Sequence, residues 1–132
     1  VADEVAFPGV FEFTTDQLAL GGPEDPHLIL GSVAFGLATA LAFDSSGNLW
    51  VGTSGVPGTG GVVQEFQSNV LAGSGSVTPD PWVTISPNPL THYSLTLTGM
   101  AFDNEGNLWI ADEDNYALNW GDDRVEKWSI AK

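Results

Sequence analysis

Oxygen ligands are concentrated in one short stretch of this 132-residue chain. Asp112, Glu113, Asp114 and Asn115 are followed by Asp122 and Asp123, and carboxylates crowded in this way are what calcium takes. Counted from Asp112, the first, third and twelfth positions are Asp112, Asp114 and Asp123, as in a helix-flanked calcium loop. The fifth is Tyr116 and the sixth is Ala117, where the sharp turn of such a loop needs glycine. That motif fails. A looser calcium site in a strand-connecting loop, formed by Asp112, Asp114, Asp122 and Asp123, is the metal expectation; the alternative is a solvated acidic loop, partly offset by Arg124 and Lys127. Trp120, inside the same loop, could stack on a sugar ring or on a partner's surface, so carbohydrate is a candidate ligand.

Other reactive residue types are sparse. His27 and His92 are the two imidazoles; His92 sits beside Tyr93 with no adjacent carboxylate, which argues against a general base. No Gly-x-Ser-x-Gly elbow is present. The glycine-rich residues 55–61 have no lysine nearby and read as a flexible connection, not a phosphate loop. Cysteine is absent, which excludes disulfides and thiolate metal sites. No catalytic constellation emerges.

Charge narrows the partners. Seventeen acids face three bases, and those three (Arg124, Lys127 and Lys132) fall in the last nine residues. Nucleic acid needs a cationic footprint that this chain lacks. An anionic membrane surface is disfavoured for the same reason. With only 15% of residues charged, most of the surface is expected to be Ser, Thr, Gly and Asn, which suits an extracellular or cell-surface protein. The chain begins at Val1, which reads as a processed product or an excised segment.

The elements that must position these residues come from a repeat. Residues 42–51, AFDSSGNLWV, return at 101–110 as AFDNEGNLWI, with seven of ten positions identical. Each copy reads as strand, tight turn, strand. Asp44 and Asp103 head the turns and can accept from backbone N–H groups, while Gly47 and Gly106 supply the left-handed position. These four are turn-capping residues, and the turn explains them without a cation. Trp50 and Trp109 recur at one repeat position, and Trp128 aligns with Phe13 and Phe66, which indicates packing between blades.

The repeat extends further. GGVVQEF at 60–66 follows the first hairpin, DRVEKW at 123–128 follows the second, and GVFEF at 9–13 is an earlier relative. TTDQLAL and QSNVLAG open the linkers and could each hold a helical turn around Leu18 or Leu71; strands follow Pro26 and Pro81. His27 aligns with Trp82, so it is expected at a packing position. The unit therefore reads as an inner strand (27–31, 82–86), two hairpin strands (39–43 with 48–53, 98–102 with 107–112) and an outer strand (61–67, 123–129). The apolar run at 28–43 is shorter than the roughly 20 residues of a spanning helix and is split by the repeat into two strands, so no membrane insertion is expected.

The AFDxxGNLWV motif, followed by a strand such as GGVVQEF, resembles NHL-type and related six-bladed β-propeller repeats, with linkers similar to TTDQLALGGPEDPHLIL. The resemblance implies an all-β fold of propeller-like blades, each a four-stranded antiparallel sheet. About two complete blades plus an extra outer strand are expected in one repeat domain over 1–132. The first repeat, with its preceding outer strand, spans 9–67, and the second spans 68–132. Such propellers include lactonases, lyases, cell-surface proteins and binding modules, so fold does not fix function. A ring typically needs roughly four to eight blades. The leading expectation is an extracellular structural or adhesive module that associates with copies of itself or with adjacent blades. It would close a ring or form a filament, with the strand at 9–14 as a handle. The alternatives are a fragment of a propeller enzyme of lactonase or lyase type, or a calcium- or carbohydrate-binding module.

Overall fold

Apolar runs punctuated by Asp/Gly turns fold here into three sheets. A computed structural model of the chain describes residues 2–3, 9–22, 25–31, 37–54, 61–86, 97–112 and 124–130. The elements are β1 (Ala2–Asp3), β2 (Gly9–Glu12), α1 (Thr15–Leu20), β3 (Leu28–Gly31), β4 (Leu37–Phe43), β5 (Leu49–Ser54) and β6 (Val63–Phe66). They continue as α2 (Ser68–Leu71), β7 (Gly75–Val77), β8 (Val83–Ile85), β9 (Leu97–Phe102), β10 (Leu108–Asp112) and β11 (Arg124–Trp128). The first sheet has the order β1-β2-β3-β7, the second β4-β5-β6-β8, and the third β11-β10-β9. Every pairing is antiparallel except β3 with β7, which run parallel.

Side chains alternate between the two faces of a strand, so a sheet can pack on both sides. The second sheet does. Leu49, Val51 and Phe66 point one way, against Val10 and Leu30 of the first sheet. Trp50 and Val63 point the other way, against Leu97, Leu108 and Ile110 of the third. Each fully buried side chain of this size contributes about 1.5–3 kcal/mol. Gly52 marks a close approach: a Cβ there would lie 3.0 Å from both Leu97 Cδ1 and Met100 Sδ.

The linkers hold the helical turns anticipated around Leu18 and Leu71. In α1 the Thr14 hydroxyl accepts from Gln17 N–H (3.3 Å) and the Gln17 side chain accepts from Thr14 N–H (2.9 Å), a reciprocal cap for two donors that the helix cannot satisfy. Gln17 also donates to the Asp25 carbonyl at 2.7 Å, which steers the chain back toward β3.

Three expectations are corrected. The strands after Pro26 and Pro81 are not the inner strands of the hairpins that follow them. β3 pairs with β2, and β8 pairs with β6, so each belongs to the sheet before it. An internal repeat defines a period but not the point at which one unit ends, and strand pairing supplies that point. Residues 9–12 are likewise no spare handle, because β2 is paired to β1 on one edge and to β3 on the other. His27 is not a packing residue either: its side chain, like that of Trp82, is exposed at the start of its strand. The apolar run at 28–43 contributes β3 to one sheet and β4 to the next, and no described helix is long and apolar enough to cross a membrane.

Candidate functional site

Among the described residues, two equivalent turns carry the densest polar networks. Between β4 and β5, the Asp44 Oδ1 accepts from Ser46 N–H (2.8 Å) and Asn48 N–H (3.0 Å). Its Oδ2 accepts from the Asn48 amide (3.0 Å) and the Trp50 indole (3.3 Å). Between β9 and β10, Asp103 Oδ1 accepts from Glu105 N–H and Asn107 N–H, both at 2.9 Å, and Oδ2 accepts from Asn107 Nδ2 and the Trp109 indole, also at 2.9 Å. Gly47 and Gly106 have φ of 78° and 84°, in the left-handed region that a side chain rarely adopts. Asp, Gly, Asn and Trp of the motif thus form one unit, in which a carboxylate gathers donors from its own turn and the adjoining strand.

These bonds favour the ionised form of both carboxylates. Burial raises the Asp44 pKa, but the donors from Asn48, Trp50 and Ser46 outweigh it and leave the pKa below the ordinary value. Asp103 is held far below the ordinary value, first by the Trp109 indole and then by Asn107. Both are therefore ionised acceptors with their lone pairs already engaged, a poor starting point for an acid, a base or a cation ligand.

Asn48 reaches further than its turn. Its amide also donates to Glu65 Oε1 at 2.8 Å, and its oxygen accepts from Ser68 N–H at 3.0 Å, tying the hairpin to β6 and to α2. Burial first, then the negative charge of Asp44, raises the Glu65 pKa, and the Asn48 bond opposes them. Lys127 stands at the equivalent position of the third sheet, opposite Trp109 as Glu65 is opposite Trp50. Its ammonium lies 3.8 Å from Asp103, 3.5 Å from Glu105 and 5.7 Å from the Trp109 ring centre. Lys127 is thus engaged with the turn. Sequence reasoning explained Asn48 and Asn107 as part of the turn capping but not their reach beyond it, and did not single out Glu65; the recurrence of asparagine after each turn glycine was the available signal.

Of the calcium candidates, Asp114, Asp122 and Asp123 lie outside the described residues, as do Trp120 and His92. Asp112 ends β10 and is buried, in register with Arg124. No group of three or more metal-ligating side chains occurs among the described residues.

Among the described residues, two clefts flank the second sheet. One, of about 440 Å³, runs between the twin turns and is lined by Asp44, Trp50, Phe102, Asp103 and Ile130 among others. The other, of about 400 Å³, lies between the first and second sheets and is lined mainly by leucine and phenylalanine, with Glu12 as its charged residue.

Mainly antiparallel sheets of three or four strands, built from a tandem repeat and stacked face to face, are propeller-type blades. Residues 33–55, which include β4 and β5, match the family model of the two component regulator propeller. No match was found among curated proteins or solved structures.

Proposed function

We propose that this chain is a structural or adhesive blade module, of the NHL-like kind its motif resembles, that acts outside the cell or at its surface. It works by adding blades, through contact with copies of itself or with neighbouring repeats. One contrast carries this reading. On the second sheet, Trp50 and Val63 are 2% and 0% exposed beneath the third sheet; on the third, the equivalent Trp109 and Val125 are 39% and 67% exposed. Among the described residues, the face that stacks on the second sheet is thus left exposed on the third. The ionised, fully engaged turn aspartates support a binding role over catalysis.

Native mass spectrometry at several concentrations tests the proposal. A discrete oligomer is expected for a closed ring, and a ladder of sizes for an open filament. A monomer at every concentration overturns self-association. Turnover of a lactone by the purified protein overturns the non-enzymatic reading.

A further inference from the structure

We propose that the Asp25–Pro26 peptide bond is a self-cleavage site, at which the Asp25 carboxylate attacks its own backbone carbonyl while the Gln17 side chain holds the carbonyl oxygen. This is a single event on the chain itself, and it stands apart from the assembly reading.

Both linkers of the repeat carry an aspartyl-prolyl bond at one equivalent place. Asp25–Pro26–His27 leads into β3, and Asp80–Pro81–Trp82 leads into β8. The backbone around them matches as well: His27 N–H donates to the Glu12 carbonyl and Trp82 N–H to the Glu65 carbonyl, both at 2.8 Å. Such a bond is labile in acid for two chemical reasons. The side-chain carboxylate closes a five-membered ring on the carbonyl carbon, an intramolecular attack with little orientation left to lose. The departing nitrogen belongs to a tertiary amide, which takes a proton more readily than an ordinary peptide nitrogen.

The helical turn before each bond separates the two. Gln17 Nε2 donates to the Asp25 carbonyl oxygen at 2.7 Å. That amide is oriented from its other end, because Gln17 Oε1 accepts from Thr14 N–H at 2.9 Å and from the Thr14 hydroxyl at 3.2 Å. Its N–H therefore faces the scissile carbonyl before any reaction, and the bond strengthens as negative charge develops on the oxygen. In the second linker Gln67 stands where Thr14 does and Val70 where Gln17 does, and the Val70 side chain has nothing to donate. Beyond the bond, the His27 carbonyl accepts from Gly75 N–H at 2.8 Å, so His27 is fixed to β2 on one side and to the start of β7 on the other. Asp25 itself is exposed, within reach of water.

The step balances without a cofactor. A carboxylate oxygen of Asp25 bonds to the carbonyl carbon, and the carbonyl oxygen takes the charge against Gln17. The C–N bond then breaks, its electron pair goes to the Pro26 nitrogen, and that nitrogen takes a proton from the acidic solvent. Asp25 is left as a cyclic anhydride, which one water molecule opens to two carboxyl groups. Nothing is oxidised or reduced. The two pieces stay together, because β2 remains paired with β3 across the break.

The test incubates the 132-residue chain in mildly acidic buffer and follows it by mass spectrometry under denaturing conditions, since the native mass should hardly change. Fragments 1–25 and 26–132 are expected, with Asp25–Pro26 cut about tenfold or more faster than Asp80–Pro81, the difference that one preorganised donor makes. Gln17→Glu keeps the acceptor for Thr14 and loses the donor. It should bring the rate at Asp25–Pro26 down to that at Asp80–Pro81, with circular dichroism unchanged. Asp25→Ala should abolish the cut, and hydroxylamine added to the parent should leave a hydroxamate on Asp25, the mark of the anhydride. An uncut parent overturns the proposal, as do equal rates at the two bonds or an unchanged rate in Gln17→Glu. Urea should erase the difference between the bonds; a difference that persists in the unfolded chain belongs to local sequence and overturns the role of Gln17.

Discussion

Truncating the two motif tryptophans one at a time measures how much a stacked neighbour is worth. Trp50→Ala removes an indole that is 2% exposed, meets Phe102 edge-to-face and donates to Asp44. Loss of an aromatic side chain from a core costs ~3–5 kcal/mol, because the cavity closes only in part. Trp109 has the same place in its hairpin and a shorter bond to Asp103 (2.9 Å against 3.3 Å), but 39% of it is in water. For a side chain of ~200 Å² at ~25 cal/mol per Å², that exposed third lowers the loss by ~2 kcal/mol. No sheet among the described residues lies over it, so its removal leaves no cavity, which spares ~1 kcal/mol more. The expectation is ~4 kcal/mol for Trp50→Ala and ~1 kcal/mol for Trp109→Ala, against a total stability of ~5–15 kcal/mol. Equilibrium urea unfolding followed by far-ultraviolet circular dichroism reads both, at a protein concentration low enough that assembly does not contribute. Equal losses would refute the assignment of the third sheet's outer face as open.

Three further outcomes follow from the same geometry. Asp44 and Asp103 have folded pKa values below their unfolded ones near ~3.9, so their stabilisation is complete above that pH and is lost as pH falls through the folded values. The thermal midpoint should drop on acidification below pH ~4, and Asp44→Asn with Asp103→Asn should flatten that drop while lowering the midpoint at neutral pH. Glu65 is the reverse case: its raised folded pKa means stability is lost as pH rises through that value. Glu65→Gln, which can still accept from Asn48, should raise the midpoint at pH 7 and give no gain near pH 4; an equal gain at both would count against it. Gly52→Ala should cost ~1 kcal/mol in urea unfolding, at the low end for overpacking because Met100 can shift, whereas a neutral result would mean a looser contact between the second and third sheets.

The parts of this fold legible in the sequence are those governed by near neighbours. Asp44 and Gly47 define a turn within four residues, so the hairpin of β4 and β5 and its twin of β9 and β10 could be placed from composition alone. The partners of β3 and β8 could not. Between β2 and β3 the chain runs through α1 and a glycine-proline linker, and nothing in those residues says whether the next strand turns back or moves on. Exposure was equally hidden. Trp50 and Trp109 occupy identical motif positions, and among the described residues it is a sheet packed across from Trp50, and not from Trp109, that separates core from surface. Glu65 escaped notice because its role depends on Asn48, seventeen residues away, and its counterpart in the third sheet is a lysine.

The parallel strand β7 has a consequence for the order in which the molecule comes into being. After β6 the chain crosses through α2, lays β7 along the edge of the first sheet, and returns to add β8 to the second. The two sheets are sewn together by one thread. Neither can acquire its last strand during synthesis until residues 75–85 have left the ribosome, so they should mature as a single cooperative body. Nearest-neighbour arrays usually add their units one at a time. Here the first increment is a pair, and among the described strands the third sheet is the one added by face contact alone. Amide exchange should then show two classes of protection, with β2, β3, β5 and β6 opening together and β9 to β11 opening earlier.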